Sequence, residues 1–161
     1  MCIRDSLKAS GRIHDSCQAR QAMENVNSAG LSLSVDMLFG LPGQDLKVWI
    51  RDLREILTLG VDHLSTYQLS LEEGTPWGYS PPADIPDGYP FYRWAQYYLE
   101  GHGLRQYEIA SFARPGKWCR HNVAYWFRKN VIGLGPSAWG FIEGVRTGNV
   151  RNLEEYSSML R

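Results

Sequence analysis

One short stretch of the chain, RHNVAYW at residues 120–126, combines residue types that could do chemistry. His121 can ligate a metal or a porphyrin iron, serve as a base, or make an ordinary structural hydrogen bond. Asn122 beside it can orient an imidazole through the free ring nitrogen. Tyr125 and Trp126 offer flat apolar surface, and one histidine with aromatic neighbours suits axial ligation of heme iron under a covered macrocycle. Zinc fits poorly, because it wants three or four ligands and only Cys119 is nearby in sequence. A plain hydrogen-bonding histidine stays open beside the ligand reading.

Three further groups are candidates. Asp36 ends the polar side of LSLSVDMLF, residues 31–39, where a carboxylate at the C-terminal end of a parallel strand can accept ribose hydroxyls or simply cap a loop. Gln68 and Ser70, with Leu64 and Thr66, share one face of the next expected strand and could line the same cavity. Arg12, in GRIHDS with His14, can hold a carboxylate in a bidentate pair or stand as a solvated surface charge. GLPGQ is weak as a phosphate loop, lacking GxGxxG spacing and a following lysine. The glycines of GLGPSAWG permit close backbone approach to a ligand or form a tight turn.

The elements that must position these residues follow from periodicity. Residues 15–29 read as a helix capped by Asp15 or Ser16, with Ala19, Ala22, Met23 and Val26 on one face and Gly30 at its end. Residues 31–39 alternate as a strand. Residues 45–59 carry a helical stripe of Leu46, Trp49, Ile50, Leu53, Ile56 and Leu57, and 63–71 form another strand. Short loops between alternating helices and strands are the rhythm of a parallel α/β sheet or barrel. The Pro- and Gly-rich segment 72–87 reads as a long loop, followed by a helix over 88–100 capped by Asp87. Residues 105–112 suggest one strand, RHNVAYW the loop after it, and 131–141 a short strand, a glycine turn and a second strand. Asn152 caps a last helix, with Glu155 at the capping-box position.

Bulk properties narrow the function classes. With 17 basic and 17 acidic residues, nothing forecasts nucleic acid or an anionic membrane as partner. Three scattered cysteines, Cys2, Cys17 and Cys119, suit a reducing cytosol and make no disulfide framework or all-cysteine metal site. No apolar run approaches the roughly 20 residues of a membrane span. The opening MCIRDS reads as a sequencing artefact, which would place the natural sequence from about Leu7 onward and make the chain a fragment. A barrel lacking its first strands would expose an edge and tend to aggregate.

Five ordered motifs, VDMLFGLPGQ, LSTYQLSLEEGTPW, YEIASFARPG, CRHNVAYW and GLGPSAWG, resemble the radical S-adenosylmethionine family of oxygen-independent coproporphyrinogen III oxidases, and more closely its HemW branch of heme chaperones. The resemblance runs from about Leu7 to Arg161. It implies an α/β fold: residues 7–80 as the C-terminal part of a partial (β/α) radical SAM barrel, and 81–161 as a smaller α+β region. It implies S-adenosylmethionine contacts at Arg12, Asp36, Ser70 and Trp139, and heme contacts at His121, Asn122, Tyr125 and Trp126, with His121 as iron ligand. HNVAYW fits the HNxxYW pattern of the chaperone branch, whereas the oxidase branch reads more like FQGYT. Trp139 stands where many chaperones carry a histidine in a GAH-type motif, which leaves a backbone contact as its implied role. The cluster-binding CxxxCxxC is absent, so the implied 4Fe–4S cluster and any cleavage of adenosylmethionine would belong to an intact parent. The resemblance further implies a cytoplasmic protein, in which a homodimer is allowed, that passes heme to a heme-requiring respiratory enzyme. The alternatives are oxidative decarboxylation of coproporphyrinogen, or a structural piece in which Tyr125 and Trp126 are core.

Overall fold

The computed structural model describes residue 7 and residues 10–160; Met1–Ser6, the expected artefact, with Cys2, lies outside the described residues. The chain divides between Trp118 and Cys119 into two compact units.

The first unit is built on a strand–helix–strand repeat. Helix α1 (Ser16–Ser28) starts at Asp15, not Ser16: the Asp15 carboxylate accepts from Cys17 N and Gln18 N, and Gln18 Oε1 accepts from Asp15 N in return. That reciprocal box satisfies amides that a helix start leaves orphaned. Strand β1 (Ser34–Phe39) runs parallel to β2 (His63–Gln68), in register from Ser34 opposite His63 to Phe39 opposite Gln68. Helix α2 (Leu46–Thr58) makes the crossover, with the Asp45 carboxylate capping Val48 N at 2.7 Å. Its stripe drives Trp49 and Leu53 wholly out of solvent. Burying two such side chains contributes about 2–3 kcal/mol each. The Trp49 indole N–H, which could not be buried unpaired, donates to Phe91 O at 3.0 Å.

A one-turn helix α3 (Pro76–Tyr79) lies within the expected loop, and α4 (Tyr89–Gly101) buries Phe91, Ala95 and Leu99 against the same core. Asp87 accepts from Tyr89 N at 3.0 Å, but the helix cap itself is Gly88. The expected strand over 105–112 is instead a tight antiparallel pair, β3 (Arg105–Gln106) and β4 (Ser111–Ala113). Tyr107 N donates to Ser111 O, and the Gln106 amide reaches Ile109 O, so the chain reverses where the sequence pattern continued. Strand β4 joins β2 antiparallel, giving a mixed sheet in the order β1-β2-β4-β3.

In the second unit, residues 120–126 are not a loop but helix α5 (Arg120–Trp126). It ends on a tight double bond pattern, with Arg128 N donating to Tyr125 O and Lys129 N to Ala124 O, and Arg128 in the left-handed region at φ 53°. Strands β5 (Trp139–Ile142) and β6 (Val145–Gly148) form a hairpin, with Glu143 at φ 48° and Gly144 at φ 86° making its two-residue turn. Val131 bridges to Phe141. Helix α6 (Leu153–Met159) is capped as expected, Asn152 accepting from Glu155 N at 2.8 Å.

Candidate ligand site

Helix geometry decides what each residue of RHNVAYW can touch. Positions four apart share a face, while neighbours diverge by about 100°. His121 therefore meets Tyr125, edge to face, with ring centroids 4.9 Å apart at 84°. Asn122, expected to orient the imidazole, is carried to another face by that same geometry, so the ring that holds His121 is Tyr125. The Tyr125 hydroxyl donates to Trp139 O at 3.3 Å, linking α5 to the hairpin. His121, Tyr125 and Trp126 are all exposed, Trp126 at 49%.

Between α5 and the hairpin lies a cavity of about 670 Å³. Tyr125, Trp139 and Phe141 supply its aromatic lining, and Arg128, Lys129 and Arg146 its charge. The Arg128 guanidinium sits 5.6 Å over the Phe141 ring, a cation–π distance. Trp139, expected among adenosylmethionine contacts, and Tyr125, expected among heme contacts, thus line one space. The basic residues were not singled out from sequence; their signal lies in β5–β6 pairing, which sets Arg146 opposite Phe141. Two glycines of GLGPSAWG, Gly133 and Gly140, serve chain packing, and Gly135, at φ 98°, serves a turn. A side chain at Gly133 would meet the Trp139 carbonyl carbon at 2.7 Å, and one at Gly140 the Thr147 hydroxyl at 2.8 Å.

The sheet of the first unit has a polar face, on which Asp36 is exposed while His63, Ser65 and Ser111 are buried. Alternation sends Val35, Met37, Phe39, Leu64 and Phe112 toward the helices, and Ser34, Asp36, His63, Ser65 and Ser111 to the opposite face. Asp36 is exposed and lies mid-strand, opposite Ser65, not at the strand end. His63 bridges Ser34 Oγ (2.9 Å) and the Tyr107 hydroxyl (2.6 Å). Burial pushes its pKa down, against the opposing pull of Asp36 and Glu108. Sequence reasoning missed His63, because only strand pairing brings Ser34 and Tyr107 to it. Ser70 lies beyond β2, exposed, with its hydroxyl on Glu72 at 2.8 Å. Arg12 is exposed. The Gln44 side chain of GLPGQ accepts from Gly40 N (2.8 Å) and Leu41 N (3.3 Å), so these amides serve the turn and are not offered to a phosphate. Among the described residues no three His, Cys, Asp or Glu side chains form a group that could hold a metal ion.

Comparison with known proteins identifies relatives. No family model matches the chain. It is 37% identical over 140 residues to the heme chaperone HemW of Escherichia coli, covering 84% of this chain and 37% of that protein. With HemW of Bacillus subtilis it shares 32% over 165 residues, 97% of this chain and 43% of that one. Over the length it spans, the chain is HemW-like. A mitochondrial protein, the radical S-adenosyl methionine domain-containing protein 1 of Bos taurus, is 36% identical over 156 residues, 90% of this chain and 35% of that one. The chain spans well under half the length of these relatives. Its fold matches coproporphyrinogen III oxidase HemN of Escherichia coli, a radical SAM enzyme, with a TM-score of 0.73 over 98% of this chain and 40% of that one. At 18% identity that likeness concerns the fold. It agrees with an α/β chain drawn from a radical SAM barrel and its following region. Among the described residues no helix is long and apolar enough to cross a membrane.

Proposed function

We propose that this chain is the heme-handling part of a heme chaperone, with His121 as the axial ligand to the iron and Tyr125 and Trp126 against the macrocycle. The observation that carries this reading is the exposed His121 ring, braced by Tyr125 one turn along α5, beside an aromatic, basic cavity. An exposed imidazole can reach a bulky planar cargo without prior unfolding, and a braced one loses less side-chain freedom on ligation. Asn122 and Trp126, four apart on the adjoining face of the same short helix, would contact the cargo's edge. The cargo would pass to a heme-requiring respiratory protein, and the protein would work in the cytoplasm, with or without a second copy.

Adenosylmethionine and a 4Fe–4S cluster belong to the same proposal for the whole protein. Asp36, on the sheet face turned away from the helices, would accept hydroxyls there. Arg12, exposed, could pair with a carboxylate. Ser70 would contribute through its backbone, its hydroxyl being engaged by Glu72. The ligands of that cluster would come from elsewhere in the whole protein, since the described residues contain no group of three His, Cys, Asp or Glu that could hold a metal ion.

The competing reading is oxidative decarboxylation of a porphyrinogen. Anaerobic incubation of the full-length protein with coproporphyrinogen III, a reductant and adenosylmethionine separates the two. The chaperone reading expects no decarboxylated product, together with hemin binding. Product formation at a catalytic rate would replace it with the oxidase reading.

A further inference from the structure

We infer that the cavity between α5 and the β5–β6 hairpin is a carboxylate-receiving site for a planar aromatic ligand, its cations taking the ligand's acid groups and its rings the ligand's face. The inference rests on the heme reading for the identity of the ligand, and adds where its propionate-bearing edge is held.

Three observations carry it. The first is charge. Arg128, Lys129 and Arg146 line one cavity with no carboxylate among its lining residues, and among the described residues none of the three is in an ion pair. Three like charges around one hollow repel, and an anion with two acid groups relieves that repulsion. A sulfonium ligand such as adenosylmethionine would instead add a fourth positive charge. Arginine forks match carboxylates in bidentate pairs, as they do phosphates.

The second is shape. Trp139 and Phe141 stand two residues apart on β5, and Arg146 lies directly across from Phe141, so one face of the hairpin offers two aromatic rings with a guanidinium between the strands. Trp139 is 60% exposed, which leaves a large apolar surface wet in the absence of a ligand. The volume of about 670 Å³ falls within the roughly 300–1,000 Å³ of small-molecule sites.

The third is strain. Arg128 occupies the left-handed position that ends α5, where glycine is the usual choice. An arginine there carries a backbone cost that glycine does not. The position aims its guanidinium across the Phe141 ring and into the cavity. A strained residue held in a ligand-sized hollow by a ring contact is the pattern expected where function sets the residue type. Tyr125 then connects the two halves of the site: its ring braces His121, and its hydroxyl reaches the hairpin.

The test separates iron ligation from acid recognition. Binding of metal-free protoporphyrin IX and of its dimethyl ester would be followed by porphyrin fluorescence, on the full-length protein and on its Arg146→Glu, Lys129→Glu and His121→Ala variants. Both charge variants are at exposed positions, and circular dichroism confirms that each is folded. The free acid is expected to bind at least tenfold more tightly than the ester, and each charge reversal to weaken the acid about tenfold or more while leaving the ester within twofold. His121→Ala should leave metal-free porphyrin binding within twofold, since there is no iron to ligate. Equal binding of acid and ester, or indifference to both charge reversals, overturns the site. If hemin ligation still depends on His121 in that case, the heme reading stands without this cavity. If the charge dependence holds but His121→Ala leaves the hemin spectrum unchanged, the cavity stands and the axial ligand falls.

Discussion

His121 and Tyr125 meet edge to face one turn apart on α5, and the Tyr125 hydroxyl then reaches Trp139 O on the hairpin. One tyrosine thereby links the candidate iron ligand to the cavity wall. An aromatic pair of this geometry contributes about 0.5–1.5 kcal/mol beyond its buried area, and a neutral hydrogen bond to backbone adds a similar amount. Tyr125→Phe keeps the ring contact and removes the second link. It should weaken hemin binding by a few-fold and lower thermal stability slightly. Tyr125→Ala removes both and should weaken binding more than tenfold. Equal affinity in the two variants would show that the hydroxyl, and not the ring, carries the effect.

Stability should fall as the medium is acidified, through His63. Its folded pKa lies below the usual 6.5 because burial disfavours the imidazolium. The unfolded chain therefore binds the proton first. The contribution of neutral His63 is complete above about pH 6.5 and is lost as the pH falls from there toward the folded pKa. Urea unfolding across pH 5 to 8, wild type against His63→Gln, reads this directly. The variant should show a shallower loss below pH 6.5. An unchanged slope would mean that other groups control it.

Trp49 tests the core of the first unit. Trp49→Phe deletes the indole N–H that donates to Phe91 O and leaves a void in a fully buried position. An unpaired buried acceptor costs about 1–3 kcal/mol, and the lost volume adds to that. The denaturant midpoint should shift by roughly 2–4 kcal/mol of stability, with an unchanged slope. A loss under 1 kcal/mol would mean that water replaces the indole.

Much of the first unit was legible in the sequence because period-two and period-3.6 patterns there are long and well punctuated. The Trp49–Leu53 stripe and the β1 alternation stand in the fold as read, as does the Asn152 cap in the second unit. Shorter features escaped. RQYEIASF has strand-forming types throughout, so nothing local marks the reversal that Gln106 and Tyr107 hold by tertiary hydrogen bonds. RHNVAYW is only seven residues long and lacks a side-chain cap, which is why it read as a loop and not as α5. That difference matters for the site, since helical spacing couples His121 to Tyr125 and separates it from Asn122. Asp36 was placed at a strand end by its position before a glycine turn, whereas pairing with β2 continues three residues further, to Phe39. The basic lining of the cavity was invisible for a different reason. Arg128, Lys129 and Arg146 are ordinary surface charges until the Glu143–Gly144 turn folds β6 back along β5.

The most direct measurement is a hemin titration of the full-length protein by absorbance, wild type against His121→Ala. The wild type should bind one equivalent with a shifted Soret band, and the variant should lose that spectrum or bind at least tenfold more weakly. Identical Soret shifts and affinities in the two proteins would contradict His121 as the iron ligand and leave it an exposed helix residue stacked on Tyr125.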